Sequence, residues 1–264
     1  MLLLLLLAIG CYAGVFGYLL WAVLAQKPLA KSIVLGVLAI GLITHASMLY
    51  PKIITLYGLN LNIFNVISLT SLFMLAFYWL FCWYRPILVM GVLALPLALG
   101  GVMVGFGNAP YQPLNSLSPL LQGHILLSLA AYCVLFMAAV QAVMLRLQMR
   151  ELKSQTIHRI WVQKLPALQS MEALLFDMIT LGFVLLSFAL GLGFVDTQDL
   201  LGQHLAHKTV FSVVSWLVFG ALLFGHWRYG WRGLRAVNMT IYGVVLLGLA
   251  FIGTKFVLEL VLHH

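Results

Sequence analysis

Charged side chains are scarce in this sequence of 264 residues. Only 8% of the residues are Asp, Glu, Lys or Arg, and 64% are hydrophobic. Soluble domains carry about 25% charged residues, so a water-soluble fold is excluded. The apolar runs are close to twenty residues long and do not alternate with polar positions, which indicates membrane-spanning helices rather than the strands of an outer-membrane barrel.

Cysteine and catalytic motifs are also missing. The three cysteines, Cys11, Cys82 and Cys133, lie in or beside apolar runs and form no CxxC pair, so neither a zinc site nor a disulfide framework is predicted. The chain has no nucleotide-binding loop, HExxH or G-x-S-x-G motif, and no Ser/His/Asp set can be assembled. We therefore expect an accessory or ligand-handling protein rather than a hydrolase.

The apolar runs predict the fold class. We expect an all-α membrane protein, a bundle of about eight transmembrane helices that contacts the lipid bilayer. Nothing in the sequence indicates a second domain, so residues 1–264 are expected to form a single polytopic membrane domain. The predicted spans are residues 2–25, 32–50, 62–83, 87–105, 121–146, 170–194, 208–226 and 237–260.

The basic residues predict the orientation of the bundle. Of 14 Lys and Arg residues, all but Lys52, Lys208 and Lys255 lie in or beside the odd-numbered loops between the spans. The positive-inside rule then places both termini on the outer, periplasmic side of the bacterial inner membrane. These short loops also account for the net charge of +8, so no nucleic-acid partner is predicted.

Four histidines are candidate ligand residues, because an intramembrane imidazole marks a functional site by default. In this topology His45, His124 and His207 lie near the outer face, and His226 lies near the inner face. A span of about twenty residues separates His207 from His226, so one haem cannot take both. For His45, hydrogen bonding to a neighbouring helix is the alternative, and His207 belongs to a polar connection that also contains His204.

Polar residues accompany the outer histidines. Ser128 and Tyr132 follow His124 at intervals of about one helical turn, which favours a pocket lined by polar groups. Asn62 and Asn65 open the third span, where they can cap the helix or hydrogen-bond the propionates of a haem. The two uses of these asparagines remain open.

Arginines and acids accompany the inner histidine. Arg228 and Arg232 follow His226 and can clamp propionates or serve as ordinary interfacial anchors. Asp177, on the sixth span, can relay protons or pair with Arg146 or Arg228. These intramembrane polar groups leave a second function open, a proton-coupled or small-solute transporter that uses Asp177 and the intramembrane histidines.

Several short stretches, in order along most of the chain, carry a family resemblance. They are Gly58–Asn62 running into Phe64–Leu69, Gly123-His124 with Ser128 and Tyr132, Met171–Phe176, His207–Ser212, Gly225-His226 and Gly230–Gly233. On these stretches the sequence resembles the cytochrome c assembly membrane proteins of the CcsA/HemX type, particularly the shorter YpjD-like members.

The resemblance implies an eight-helix bundle that binds b-type haem non-covalently and assists cytochrome c biogenesis together with other cytochrome biogenesis proteins. His124 and His226 match histidines of the family best, and His45 also matches, so the resemblance implies that histidines are the axial ligands of the haem iron. Family members that act as cytochrome synthases carry a tryptophan-rich external segment, whereas the external loops predicted here contain no tryptophan. This departure favours a HemX-like or haem-exporting accessory role.

Overall fold

The structure is a computed structural model that describes residues 2–55, 58–107, 118–153, 166–196 and 206–260. Within these ranges the side chains at positions 196, 206–208 and 251–260 lie outside the description. The predicted connections between the fourth and fifth spans and between the fifth and sixth spans therefore lie partly outside the described residues.

All eight predicted helices are present in the described ranges. They are α1 (Leu2–Leu24), α2 (Lys31–Ile53), α3 (Ile63–Tyr84), α4 (Gly91–Gly105), α5 (Pro119–Lys153), α6 (Leu168–Asp196), α7 (Ala206–Tyr229) and α8 (Leu234–Leu260). A single 3₁₀ turn, Leu88–Met90, precedes α4, and two short antiparallel strands, β1 (Ile54–Thr55) and β2 (Gly58–Leu59), connect α2 to α3.

The helices confirm the membrane assignment. By length and composition, seven helical segments of the described residues can cross a bilayer, and α8 contains a shorter apolar segment, Leu234–Ala250. In a bilayer every backbone polar group must be paired within the protein, which long helices achieve with their own hydrogen bonds. The protein is therefore a multi-pass helical membrane protein whose apolar surfaces contact lipid.

Several predicted helix ends are wrong by three residues or more, and two of them change how a connection is described. The second span was expected to end at residue 50, but α2 continues through Pro51 to Ile53, where the Ile54 N–H bonds to the Tyr50 carbonyl. The fifth was expected to end at residue 146, but α5 continues to Lys153, so the predicted basic loop begins as helix. Arg150 and Lys153 in the last turn complement the negative end of the helix dipole.

The described helices form two compact units. Helices α1–α4 make up the first unit, in which α1 packs on α2 and α4, and α3 packs on α2 and α4. Helices α5–α8 make up the second unit, in which α5 packs along α6 and against α8, and α7 packs along α8 and against α6. The expectation of a single domain over residues 1–264 stays a prediction.

Small residues allow close helix contacts within each unit. In the first unit, a Cβ on Gly41 would lie 2.5 Å from the Tyr12 ring, and a Cβ on Gly101 would overlap the Ser71 side chain. In the second unit, a Cβ on Gly182 would lie 2.5 Å from the Leu135 side chain. Such contacts drive helix association in lipid, where apolar side chains gain little from leaving the solvent.

Candidate functional site

His45 is fully buried at the centre of the first unit. Its Nδ1 lies 3.4 Å from the Tyr12 hydroxyl, and its Nε2 lies 2.9 Å from the Ser68 hydroxyl. The Tyr12 ring also meets the imidazole edge to face, with the centroids 6.1 Å apart. His45 therefore joins α1, α2 and α3, and both of its ring nitrogens contact protein hydroxyls.

The predicted asparagines close one end of the first unit. Asn62 caps α3, since its side-chain oxygen accepts the Asn65 N–H at 2.9 Å, which confirms the predicted cap. The buried Asn65 amide donates to the carbonyls of Lys52 and Asn60, and the Lys52 ammonium donates to the Gly105 carbonyl. Asn62 thus caps α3, Asn65 joins α3 to the end of α2, and Lys52 joins α2 to the end of α4. Their contact with haem propionates stays a prediction.

His124 is half-buried near the start of α5 and takes its orientation from α6. Its Nδ1 lies 2.7 Å from the Ala189 carbonyl oxygen. A carbonyl only accepts, so Nδ1 carries the proton and, in the neutral ring, Nε2 keeps a lone pair. A Cβ at Gly193 would lie 2.9 Å from Cε1 of this imidazole. Because Gly193 has no side chain, the imidazole of His124 can approach the backbone of α6.

His226 is half-buried at the end of α7 and has the same tautomer. Its Nδ1 donates to the Trp231 carbonyl oxygen at 2.9 Å, which again leaves Nε2 with the lone pair. The ring stacks on Phe176 of α6, with the centroids 3.6 Å apart and 21° between the planes. One hydrogen bond and one aromatic face thus fix the direction of this imidazole.

Residues 230–233, which we call the Gly230–Gly233 turn, connect α7 to α8. Gly230 and Gly233 have φ values of +64° and +61°, a left-handed conformation that favours glycine. The Gly230 N–H bonds to the His226 carbonyl at 3.1 Å, as in an αL helix cap, and the Gly233 N–H donates to Oε1 of Glu172 at 2.7 Å. The stretches Met171–Phe176 and Gly225–Gly233, which carry part of the family resemblance, therefore meet in the structure.

The two histidines occupy separate positions in the second unit. Their partners on α6, Phe176 and Ala189, lie thirteen residues apart, which corresponds to about 20 Å along the helix axis. Between these levels Trp216 stacks on Phe183, with the centroids 5.4 Å apart, and donates to the Ser187 hydroxyl at 2.7 Å. The second unit thus presents one imidazole near each end, with a packed aromatic layer between them.

The other predicted residues have varied surroundings. Ser128 is half-buried, and the half-buried Tyr132 shares a side-chain hydrogen bond with Ser212 of α7. The backbone of His207 lies in the first turn of α7, but its side chain lies outside the described residues. Arg228 and Arg232 are exposed, and the Arg228 guanidinium lies 5.8 Å from the Tyr229 ring centroid.

Several residues that orient the histidines were missed by sequence reasoning. The carbonyls of Ala189 and Trp231 carry no sequence signal, because any residue has a carbonyl. The room at Gly193 depends on the approach of α5 to α6. Phe176 was named in a resembling stretch without a role. Among the described residues no three His, Cys, Asp or Glu side chains gather as a metal-ion site.

Most of the residues that surround these histidines lie in a part of the chain that matches a known protein family. The family model for the cytochrome C assembly protein matches residues 33–262. The chain belongs to the cytochrome c assembly protein family. This family membership confirms the resemblance found in the sequence. His45, His124 and His226 lie inside the matched region, whereas Tyr12 of α1 precedes it.

Individual relatives agree with the family. The chain is 32% identical to the inner membrane protein YpjD of Escherichia coli K12 over 232 residues, covering 84% of this chain and 85% of that protein. It is 30% identical to the cytochrome c biogenesis protein CcsA of Prochlorococcus marinus over 90 residues, or 33% of this chain and 28% of CcsA. No solved structure matches. This family member is a multi-pass protein of the bacterial inner membrane.

Proposed function

We propose that this cytochrome c assembly family member binds b-type haem non-covalently and acts as an accessory, HemX-like haem-handling protein in cytochrome c biogenesis. The proposal depends chiefly on one observation. His124 and His226 each donate from Nδ1 to a backbone carbonyl, so each neutral ring keeps a lone pair on Nε2. Histidines that ligate metals are oriented by such a bond from the second ring nitrogen.

The donor set fits haem. A haem bound at either position would need only one or two ligands from the protein, and a single imidazole would provide each of them. His124 and His226 are single imidazoles near opposite ends of α6, about 20 Å apart along its axis. When bound, haem supplies an iron whose redox properties depend on the axial ligands. The chain orients those imidazoles and surrounds them with apolar helices.

Additional residues complete the proposal at each end of the second unit. The contacts of Phe176 with His226 and of Ser187 with Trp216 join α6 and α7 in an antiparallel register, in which residue 207 would lie less than one turn beyond Gly193. His207 is therefore the candidate second ligand at the His124 end, with Ser128 and Tyr132 nearby on α5. Arg228 and Arg232 are the candidate propionate partners at the His226 end.

His45 has a different role in this proposal. Both of its ring nitrogens contact buried hydroxyls, those of Tyr12 and Ser68, so an iron bond would require one contact to break. We assign His45 to the packing of the first unit. Asn62 and Asn65 likewise serve the end of that unit through their hydrogen bonds, and their contact with haem propionates stays a prediction outside this proposal.

The orientation of the helices is part of the proposal. The Gly230–Gly233 turn, which contains Arg232 and lies between Arg228 and Arg235, is beside α5, since a Cβ on Gly233 would lie 3.9 Å from Sδ of Met149. The basic end of α5 and this turn therefore share one end of the second unit. The basic residues at this end are Arg146, Arg150, Lys153, Arg228, Arg232 and Arg235. The positive-inside rule makes this end cytoplasmic, so His124 lies toward the periplasm and both termini are periplasmic.

Cysteine labelling tests the orientation. Ser118→Cys, just before α5, and Arg232→Cys are each introduced into a chain whose three native cysteines are replaced by alanine or serine. An impermeant maleimide should label Ser118→Cys in intact spheroplasts and Arg232→Cys only after lysis. The reverse pattern would contradict the proposed topology.

Haem binding is tested with the purified protein. The chain is isolated in mild detergent, supplied with haem and titrated by its Soret absorbance. With two positions, His124→Ala and His226→Ala should each remove about half of the bound haem, and the double variant should remove nearly all of it. His158→Ala is the control, because His158 lies outside the short stretches that carry the family resemblance. A wild-type protein without a Soret band, or variants indistinguishable from wild type, would refute the proposal.

The transporter alternative stays a prediction. The names of YpjD and CcsA do not mention transport. Glu172, one of the few intramembrane acids, accepts a backbone N–H in the structure. Proteoliposome flux that is abolished by Asp177→Asn, in a protein that binds no haem, would favour the transporter over the haem-handling function.

A further inference from the structure

We propose that Glu172 is the positioning residue for His226, acting through the Gly230–Gly233 turn. The inference rests on the proposed haem-binding function and deepens it, because it names the residue that holds one of the two imidazoles in its ligating direction. Glu172 does not contact the imidazole in the described structure. Its effect passes through one backbone segment, the Gly230–Gly233 turn, whose Trp231 carbonyl contacts the imidazole.

The first step is the bond between Glu172 and Gly233. The carboxylate oxygen Oε1 accepts the Gly233 N–H at 2.7 Å, and Gly233 immediately precedes α8. Hydrogen bonds to an ionised acceptor are shorter and stronger than neutral ones, and a negative charge is favourable at a helix N-terminus. This bond ties α6 to the start of α8. The bond also gives a half-buried carboxylate a hydrogen-bond donor, in a chain that has only six acidic residues.

The second step is the position of Trp231 within the turn. The turn is bounded by the two left-handed glycines, Gly230 and Gly233, so its backbone path is set at both ends. The Trp231 ring packs against Gly225, where a Cβ would overlap it, and the Arg235 guanidinium lies 5.0 Å from the ring centroid. When Gly233 is held by Glu172, the Trp231 carbonyl two residues earlier has a defined direction.

The third step joins the turn to the imidazole. The Trp231 carbonyl accepts the Nδ1 proton of His226 at 2.9 Å and thereby sets the tautomer. Phe176, which stacks on the same ring, follows Glu172 by four residues on α6 and so lies on the same face of that helix. One turn of α6 therefore positions His226 twice, directly through Phe176 and indirectly through Glu172.

A different role for Glu172 would be to neutralise the neighbouring arginines, and the two roles predict different variants. Glu172→Gln removes the charge but keeps an oxygen that accepts the Gly233 N–H. Glu172→Ala removes both. A positioning role requires the acceptor, so glutamine should rescue the site, whereas a neutralising role requires the charge, so both variants should fail.

The primary test reads the tautomer of His226 without haem. The protein is labelled with ¹⁵N-histidine in detergent, and the His226 signals are assigned by their loss in His226→Ala. Wild type and Glu172→Gln should show Nδ1 protonated, and Glu172→Ala should show exchange toward the Nε2-protonated form. Glu151→Ala, which removes another half-buried acid, is the control and should leave the His226 signals unchanged.

Haem titration provides the second readout. Glu172→Ala should weaken binding at the His226 position by about 10- to 100-fold, the usual effect of removing a group that orients a metal ligand. Glu172→Gln should stay within about threefold of wild type, because it retains the hydrogen bond. Should Glu172→Ala fail to fold, Glu172→Asp takes its place, since it keeps the charge but shortens the reach to Gly233.

The outcomes separate the two proposals. If Glu172→Ala leaves both the His226 tautomer and the haem affinity unchanged while His226→Ala loses haem, the positioning role is refuted and the haem-binding function stands. If wild type binds no haem, the haem-binding function fails, and the ¹⁵N signals alone decide whether Glu172 positions His226. Failure of both Gln and Ala variants would assign Glu172 to charge neutralisation and overturn the inference.

Discussion

The imidazole of His226 and the phenyl ring of Phe176 stack with their centroids 3.6 Å apart and 21° between their planes. The two residues belong to different helices, α7 and α6, so the stack is a tertiary contact rather than a local one. It covers one face of the imidazole while the Nδ1 hydrogen bond holds its edge. The ring can then present Nε2 in only a narrow range of directions.

Replacing Phe176 tests the contribution of this stack. Phe176→Leu should lower haem affinity at the His226 position by about 2- to 12-fold, because aromatic pairs contribute about 0.5–1.5 kcal/mol beyond their buried area. Haem titration of a protein that also carries His124→Ala isolates this position. Phe188→Leu is the matched control, since Phe188 lies on the same helix with 64% of its surface exposed. An equal loss in both variants would contradict the prediction.

Gly193→Ala tests the room beside His124. The added Cβ would lie 2.9 Å from Cε1 and 3.0 Å from Nδ1 of the imidazole, so the ring must move away from the Ala189 carbonyl. We expect haem affinity at the His124 position to fall by about 10-fold or more, as for the loss of an orienting hydrogen bond. Gly191→Ala, where an added Cβ meets nothing within 4 Å, should bind haem like wild type. Normal binding by Gly193→Ala would show that the Ala189 contact is dispensable.

His45 is expected to contribute stability rather than iron ligation. His45→Ala should lower the free energy of unfolding by about 2–5 kcal/mol through the cavity it leaves, and Tyr12→Phe by about 1 kcal/mol through the lost hydroxyl contact. A thiol-reactive dye can follow unfolding, because Cys82 is a buried free thiol of the first unit. Tyr242→Phe, at a tyrosine with 65% exposure, is the control. Loss of the Soret band in folded His45→Ala would instead make His45 a ligand.

Adjacent glycines in α4 offer a paired test of helix packing. An added Cβ on Gly101 would overlap the Ser71 side chain, whereas one on Gly100 meets nothing within 4 Å. Gly101→Ala should therefore destabilise the first unit by about 1–3 kcal/mol, the usual cost of overpacking. Gly100→Ala should stabilise it by up to about 1 kcal/mol, because alanine favours the helix. The rate at which Cys82 becomes reactive measures both changes, and the same sign for both would contradict the described α3–α4 contact.

Hydropathy predicted the helices because the bilayer imposes their length. The Asn62 cap was predicted because an asparagine side chain at a helix start can accept a free backbone N–H. The ends at Ile53 and Lys153 were missed, since Pro51 and the basic residues beyond Arg146 resemble loop residues when read locally. The sequence identified His124 and His226 but not what orients them. Those partners are backbone carbonyls and a stacked ring from other helices, and such contacts exist only after the helices pack.

Helix α6 fixes the spacing between the partners of the two imidazoles in the second unit. Ala189 sets the direction of one imidazole, and Phe176, about 20 Å along the same rigid helix, sets the other. A shift of α6 along its axis would displace both partners by the same distance, so that motion would reorient both imidazoles together and not one of them alone. A ligand that anchors one end of α6 would therefore also restrain the geometry at the other.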